Sequence, residues 1–374
     1  MAARPARNRS TPSSACEMSL KFHPLEIAAV TRETPDAVSL QFTVPPQLAA
    51  EYAFVPGQYV TLRAEIDGHD TRRSYSICAA PGEPLRVGVK RVEGGRFSSY
   101  ATDVLQPGNR LDVLPPQGRF GLPEGARDLL LIGAGSGITP LLAVAKAALA
   151  ADAEARVTLL YGNRDSRSIM FLEELEDLRD RHLGRFSLHH VLSREAQDVA
   201  LLHGRLDRDR LTAFATAGLI TPASHDAILL CGPGDMTDAA AETLKALGAP
   251  ADRLHFERFT PAADAPPPRP ASSEAREAAA AGVTVTTILD GATRSFPLRG
   301  EAETVLDAAH KAGLELPYSC AGGMCCTCRC KVTEGEAEMA VNYSLEPWEV
   351  AAGYVLACQT RPKGRTLTLD FDAV

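Results

Sequence analysis

Hydrophobic positions change their rhythm twice along the chain. Over residues 22–122 they alternate with polar ones in short runs broken by Pro and Gly. Val38-Ser39-Leu40-Gln41-Phe42, Tyr59-Val60-Thr61-Leu62 and Leu85-Arg86-Val87-Gly88-Val89 are examples. Strands this short and dense predict a small antiparallel β-barrel. After Asp128 comes an unbroken apolar run, Leu129-Leu130-Leu131-Ile132, as expected of a strand buried on both faces of a parallel sheet. Further strands are predicted over 156–161, 186–192 and 227–231, with helices over 140–151 and 170–181 and another ending at Leu247 before Gly248. Alternating strands and helices make this an α/β unit. The third rhythm is two strands around Asp290-Gly291, an amphipathic helix over 304–312 stopped by Gly313, and a last strand over 366–369.

The expected organisation is therefore multidomain. It comprises a tail (1–20), an antiparallel β-barrel (21–122), a parallel-sheet α/β domain (123–260), a Pro/Ala-rich linker (261–281) and an α+β domain (282–374). The linker carries Pro261, Pro266, Pro267, Pro268 and Pro270, which stiffen it toward polyproline II; a helical turn is predicted over 276–281. Met1 to Met18 is rich in Arg, Ser, Ala and Pro with one acid, Glu17. A transit peptide has that texture, but it is read as a disordered tail, or as sequence upstream of a true start at Met18.

Composition narrows the function classes. At 45% hydrophobic and 23% charged residues the chain is that of a globular protein, and its net charge of −8 argues against a nucleic-acid partner. No apolar run approaches 18 residues, so no membrane span is expected. Nine cysteines suit a reducing cytoplasm better than a disulfide framework.

Most of those cysteines sit together. Cys320, Cys325 and Cys328 have the spacing C-x4-C-x2-C, and Cys358 follows later. This is the plant-type framework for a 2Fe–2S cluster held by four thiolates. Gly322 and Gly323 permit the close approach that lets backbone N–H groups reach the sulfurs. Zinc sites usually pair two C-x2–4-C hooks, whereas here a lone distal cysteine closes the set. Cys326 and Cys330 are spare thiols, so other pairings can be written.

Upstream, Arg73-Ser74-Tyr75-Ser76 closes a strand. Alternation puts Arg73 and Tyr75 on one face and Ser74 and Ser76 on the other. A guanidinium beside a phenol suits a phosphate and a flavin ring, although an exposed strand face carries the same residues more often. Pro56-Gly57-Gln58-Tyr59 precedes it. Gly94-Gly95-Arg96-Phe97-Ser98-Ser99 follows, leading into a short helix over 98–105 whose start suits a pyrophosphate or is simply a capped turn. After the first apolar strand stands Gly133-Ala134-Gly135-Ser136-Gly137-Ile138-Thr139-Pro140. Thr139 is the expected N-cap and Pro140 the first helical residue. Strand, glycine turn and helix make the front of a dinucleotide-binding unit, though the spacing departs from G-x-G-x-x-G.

Together with Cys231-Gly232-Pro233 and Glu257-Arg258-Phe259, these motifs resemble the ferredoxin–NADP reductase superfamily over nearly the whole chain. The domain order (FAD barrel, pyridine-nucleotide domain, C-terminal plant-type ferredoxin of β-grasp fold) resembles the phthalate dioxygenase reductase class. Within it the likeness is greatest to reductase components of phenylacetyl-CoA ring epoxidases, with reductases of hybrid-cluster protein similar. The resemblance implies that Arg73, Tyr75, Ser76, Gly95 and Ser98 bind FAD, and that Gly133, Gly135, Gly137 and Thr139 cradle the nucleotide. It places Cys231 near the nicotinamide, beside its plain reading as a small residue closing a buried strand. It places Phe259 over the flavin, beside its plain reading as a core aromatic. The four cysteines would hold the 2Fe–2S cluster.

Nucleotide choice stays open: Arg164 and Arg167 surround Asp165, and arginine suits a 2′-phosphate whereas an acid suits a free ribose. NADPH is the expected donor, with NADH the alternative. The implied activity is an NAD(P)H-dependent oxidoreductase feeding a terminal di-iron oxygenase complex. Hybrid-cluster protein or a ring-hydroxylating oxygenase is the alternative acceptor. A non-enzymatic redox sensor or passive carrier is the remaining reading, and the motifs of both upstream domains argue against it. Hydride transfer by nicotinamide and flavin requires position rather than a general acid or base, so no catalytic His or Glu constellation is expected.

Overall fold

A computed structural model describes residues 21–260 and 267–373. The expected tail and the start of the linker, with Pro261 and Pro266, lie outside the described residues.

The first domain contains β1 (His23–Thr34), β2 (Ala37–Thr43), β3 (Tyr59–Ile66), β4 (His69–Ser76), β5 (Arg86–Lys90), α1 (Arg96–Asp103) and β6 (Arg110–Val113). The strands form one antiparallel sheet in the order β4-β3-β6-β1-β2-β5. Its two edges meet where Ile77, just beyond β4, bridges Val87 of β5, which closes the sheet into the expected barrel. Leu25, Leu40, Val60, Leu62, Val87 and Phe97 fill its core. The helix starts two residues before the sequence suggests, at Arg96 after Gly95.

The second domain runs β7 (Asp128–Ala134), α2 (Ile138–Ala151), β8 (Arg156–Asn163), α3 (Leu172–Arg181), β9 (Phe186–Leu192), α4 (Arg208–Thr216), β10 (Ala227–Pro233), α5 (Gly234–Ala246) and β11 (Leu254–Thr260). Its sheet has the order β11-β10-β7-β8-β9, and each neighbouring pair is parallel. The chain leaves β7 to one side for β8 and β9, then returns to the other side for β10. The gap between the ends of β7 and β10 is thus the topological switch point, where ligands of such sheets bind.

The third domain begins earlier than the proline pattern suggests. The Ala-rich end of the linker is a helix, α6 (Ser273–Ala281), capped by the Ser272 side chain. Its Ala278 and Ala279 pack into the C-terminal core. There follow β12 (Val283–Leu289), β13 (Ala292–Leu298), α7 (Val305–Lys311), β14 (Arg329–Glu334), β15 (Ala337–Met339), α8 (Pro347–Ala351), β16 (Tyr354–Leu356), β17 (Thr360–Pro362) and β18 (Thr366–Asp370). The main sheet runs β13-β12-β18-β14-β16, with β12 and β18 parallel. Thr304 caps α7 in a reciprocal box with Asp307. Leu306 and Ala309 of that helix turn onto the sheet.

Candidate functional site

The β3–β4 ribbon carries the site, and one of its faces meets both other domains. Asp67 and Gly68, with φ of 53° and 72°, make its two-residue turn. The register pairs Tyr59 with Ser76, Thr61 with Ser74 and Arg63 with Arg72. Alternate residues point the same way, so these six share a face, while Val60, Leu62 and Tyr75 turn to the barrel core. Tyr75 packs on Phe97 with ring centroids 5.7 Å apart.

Each end of that face meets a different domain. At one end Ser76 Oγ donates to Glu257 Oε2 at 3.0 Å, and Cys231 Sγ lies 3.9 Å from the same oxygen. In the middle, Thr327 of the cysteine loop lies against Tyr59, Thr61 and Ser74. At the far end Arg72 and Arg63 reach Glu315 at 3.3 and 3.7 Å, and Arg72 lies 4.2 Å over the Tyr318 ring.

At the switch point β7 passes into a tight turn, Gly135–Gly137, and α2 begins at Ile138. Gly137, not Thr139, is the N-cap, and no side chain caps the helix. Thr139 lies inside the first turn, buried, with its hydroxyl donating to the Ser136 carbonyl at 2.9 Å. The helix starts earlier because the turn must pass under β10. A Cβ on Gly137 would stand 2.1 Å from the Cys231 carbonyl oxygen. Gly133 lies opposite Cys231 in the β7–β10 register. The Tyr161 hydroxyl donates to the Gly135 carbonyl at 2.9 Å and pins the turn from β8. Phe259, half-buried on β11, packs against the core that includes Cys231.

Glu257 is the residue that sequence reasoning passes over, although it opens the Glu257-Arg258-Phe259 motif. Burial pushes its carboxyl up to about 7, against hydrogen bonds from Ser76 and Cys231 that favour the charge. Burial and Glu257 push the Cys231 thiol up as well. A carboxyl of raised pKa holds its proton in the folded state over a range where the unfolded chain has lost it. Folding stability from this group is therefore fully present near pH 4 and is lost as pH rises toward 7. With discounting for partial exposure, the loss is about 2 kcal/mol. Glu257→Gln is expected to lack that decline, so its melting temperature gains on the parent between pH 5 and 8. Identical pH profiles would show that the carboxyl is not held protonated.

Two features fit an FAD phosphate. Arg73 is exposed, its guanidinium donates to the Arg72 carbonyl at 2.7 Å, and no carboxylate pairs with it among the described residues. Nearby, α1 opens at Gly95 with no side-chain cap, which leaves amide donors for an anion. The Ser98 hydroxyl is turned inward, accepting from Val92 N at 3.1 Å and donating to the Gly95 carbonyl. Arg164 and Arg167 both lie exposed after β8; Arg164 pairs with Asp36 at 2.9 Å. Asp165 is engaged in a capping box with Ser168.

The cysteine loop falls into two thiol pairs, Cys320 with Cys325 and Cys328 with Cys358. In the first pair the Cys325 thiol, aided by the amides of Gly322, Met324 and Cys325, holds the Cys320 thiol below its usual range. In the second, the Cys328 thiol does the same for Cys358. Gly322 N and Cys325 N lie 3.3 and 3.4 Å from Cys320 Sγ. Gly323 takes φ 76°, and its carbonyl accepts from Tyr343 N. Cys326 has φ 56° and turns its thiol to Ser344 Oγ at 3.1 Å. Cys330 is buried against the Val355 carbonyl. Two pairs of thiols suit two irons with two thiolates each. No group of three or more His, Cys, Asp or Glu side chains that converges on a single metal ion occurs among the described residues.

Known proteins show the same division. Residues 24–121 match the oxidoreductase FAD-binding domain, 131–242 the oxidoreductase NAD-binding domain and 287–363 the 2Fe–2S iron–sulfur cluster binding domain. The crystal structure of phthalate dioxygenase reductase shares the fold (24% identity, TM-score 0.55), over 94% of this chain and 98% of that one. A component of the 1,2-phenylacetyl-CoA epoxidase of Escherichia coli K12 is 45% identical over 357 residues, 94% of this chain and 98% of that protein. The chain belongs to the family of oxidoreductases that join these three domains and that this epoxidase component represents. The family also includes the ferredoxin reductase component of the 3-ketosteroid-9-alpha-monooxygenase of Rhodococcus rhodochrous, 36% identical over 93% of this chain and 96% of that protein. As a member of the family, the chain is an NAD(P)H-dependent oxidoreductase with FAD-binding, NAD-binding and 2Fe–2S domains. No helix among its described residues is long and apolar enough to cross a membrane.

Proposed function

We propose that this reductase takes electrons from NADPH and delivers them to a di-iron oxygenase that epoxidises phenylacetyl-CoA. The observation that carries the acceptor is the end-to-end 45% identity to the epoxidase component, well above that to the ketosteroid reductase. Bound FAD takes a hydride and releases its two electrons singly, and a 2Fe–2S cluster carries one at a time. The chain's residues supply position. Arg73 and the amides after Gly95 hold FAD phosphates, Ser76 and Phe259 border its ring, Tyr75 supports the FAD site from the barrel side with its ring on Phe97, and Cys231 stands beside the nicotinamide. Gly133, Gly135, Gly137 and Thr139 shape the nucleotide turn, and Ser98 braces the Gly95 turn. Cys320, Cys325, Cys328 and Cys358 are the cluster ligands. The free cysteines suit a cytoplasmic protein.

For the nucleotide, two arginines stand exposed after β8, which favours a 2′-phosphate. Replacing Arg164 and Arg167 together with Ala is expected to lower kcat/KM for NADPH at least tenfold more than for NADH, a charge-assisted contact being worth about 1.5–3 kcal/mol. An unchanged ratio removes these arginines from the site. The acceptor is tested by reconstitution with epoxidase components lacking their own reductase. NADPH-dependent conversion of phenylacetyl-CoA is expected; normal ferricyanide reduction without conversion would assign the chain to another oxygenase.

A further inference from the structure

Thr327 sits between Cys326 and Cys328, in the only part of the loop that touches the β3–β4 ribbon face through hydroxyl groups among the described residues. Its Oγ1 lies 3.3 Å from Thr61 Oγ1, 3.2 Å from Ser74 Oγ and 3.4 Å from Tyr59 Oη. Thr61 and Ser74 are cross-strand partners, 3.0 Å apart. Thr61 is 0% and Thr327 4% exposed, so the hydroxyls satisfy one another away from water.

Around this knot stands a looser rim. Arg63 and Arg72 reach Glu315, Arg119 lies 3.7 Å from Glu349, and Arg258 lies 3.5 Å from the Tyr343 carbonyl. Glu315 is 72% exposed, so salt weakens these ion pairs even where Arg72 is within hydrogen-bond reach of it. Buried hydroxyl contacts are directional, and an unmade one leaves a buried polar atom unpaired. On the loop's other stretch Ala321 and Gly322 remain exposed.

We infer that Thr327 is a positioning residue: its hydroxyl seats the cysteine loop on the flavin-motif ribbon and sets the docked geometry for electron passage between the two domains. The inference rests on the electron path proposed above. The step it serves moves one electron at a time from the flavin domain to the iron pair, with no bond made or broken and no proton carried by Thr327. Because Thr327 is chained directly to Cys328, any shift of the hydroxyl moves a cluster ligand. The Ala321–Gly322 edge stays open to solvent while the seat is made.

The test uses full-length holoenzyme with Thr61→Val, Thr327→Val, both together, and Thr327→Ser. Two readouts are taken: hydrogen–deuterium exchange over residues 59–76 and 319–330, and anaerobic stopped-flow absorbance after mixing with NADPH. Expected is faster exchange in both segments and a flavin-to-cluster step slowed about tenfold or more relative to flavin reduction, since small misplacements are costly. Thr327→Ser restores both, and the double variant is no worse than the poorer single, because both break the same hydroxyl knot. Parental exchange and parental cluster reduction in both valine variants would overturn the inference. Should Thr327→Val lose the cluster, Thr61→Val decides alone, since it leaves the loop's composition intact. Absence of flavin or cluster from the parental protein would instead sink the functional reading.

Discussion

Cys358→Ser is expected to yield a protein that keeps its flavin and carries no normal 2Fe–2S cluster. Cys358 reaches the site from the segment between β16 and β17, and there it pairs with Cys328. Its loss removes one of the two thiolates proposed for one iron, and the spare thiols are badly placed to replace it. Cys326 is turned to Ser344 by its left-handed backbone, and Cys330 is buried against the Val355 carbonyl. Iron and acid-labile sulfide content, with the paramagnetic signal of the reduced protein, measure the outcome. Ferricyanide reduction by NADPH should persist, since it needs only the first two domains, while delivery to the oxygenase stops. Cys326→Ser and Cys330→Ser should keep the cluster. A normal cluster in Cys358→Ser would overturn the ligand assignment.

Arg73→Ala is expected to weaken FAD binding by roughly ten- to more than a hundredfold, the equivalent of about 1.5–3 kcal/mol for a charge-assisted hydrogen bond. The size follows from Arg73's surroundings. Its guanidinium has a carbonyl partner but no carboxylate among the described residues, so its charge is available for a phosphate. Neighbouring Arg72 and Arg63 are already bound to Asp70, Asp112 and Glu315. They cannot take over. Arg73→Lys should recover only part of the affinity, because an ammonium does not reproduce the planar fork. Titration of FAD into flavin-free protein measures the change, and the cluster signal should be unaffected. Parental affinity in Arg73→Ala would place the phosphate elsewhere.

Much of this arrangement is legible in the residues themselves. The change from alternating to continuous apolar runs marks the barrel and the parallel sheet, because a strand covered on both faces cannot alternate. Cysteine spacing points to Cys320, Cys325, Cys328 and the distal Cys358, and the fold brings these four together as two thiol pairs. The hairpin register is also within reach. Asp67-Gly68 is a two-residue turn signal, and counting back from it pairs Thr61 with Ser74.

The rest depends on tertiary contacts, within and between domains, which no local pattern encodes. Glu257 looks like an ordinary strand residue until β11 is set beside the end of β4, where Ser76 meets it. Thr327 reads as filler between cysteines until the loop meets the ribbon. Threonine before proline has the signature of a helix cap, which points to Thr139, but Gly137 must pass beneath the Cys231 carbonyl and the helix starts there. The Ala-rich end of the linker extends into a helix because Ala278 and Ala279 have a core to pack into.

Electrons are expected to pass along the β3–β4 ribbon, from the Cys231 and Glu257 end, through the flavin bound at the ribbon, to Thr327 and the cysteine loop. The most direct test of this path is anaerobic stopped-flow mixing of holoenzyme with one equivalent of NADPH, following flavin and cluster absorbance together, in the parental protein and in Cys358→Ser. The path predicts that flavin absorbance falls first and the cluster follows in the parental protein, and that Cys358→Ser stops after the flavin phase. Cluster reduction that precedes the flavin phase, or that proceeds in protein stripped of FAD, would contradict it.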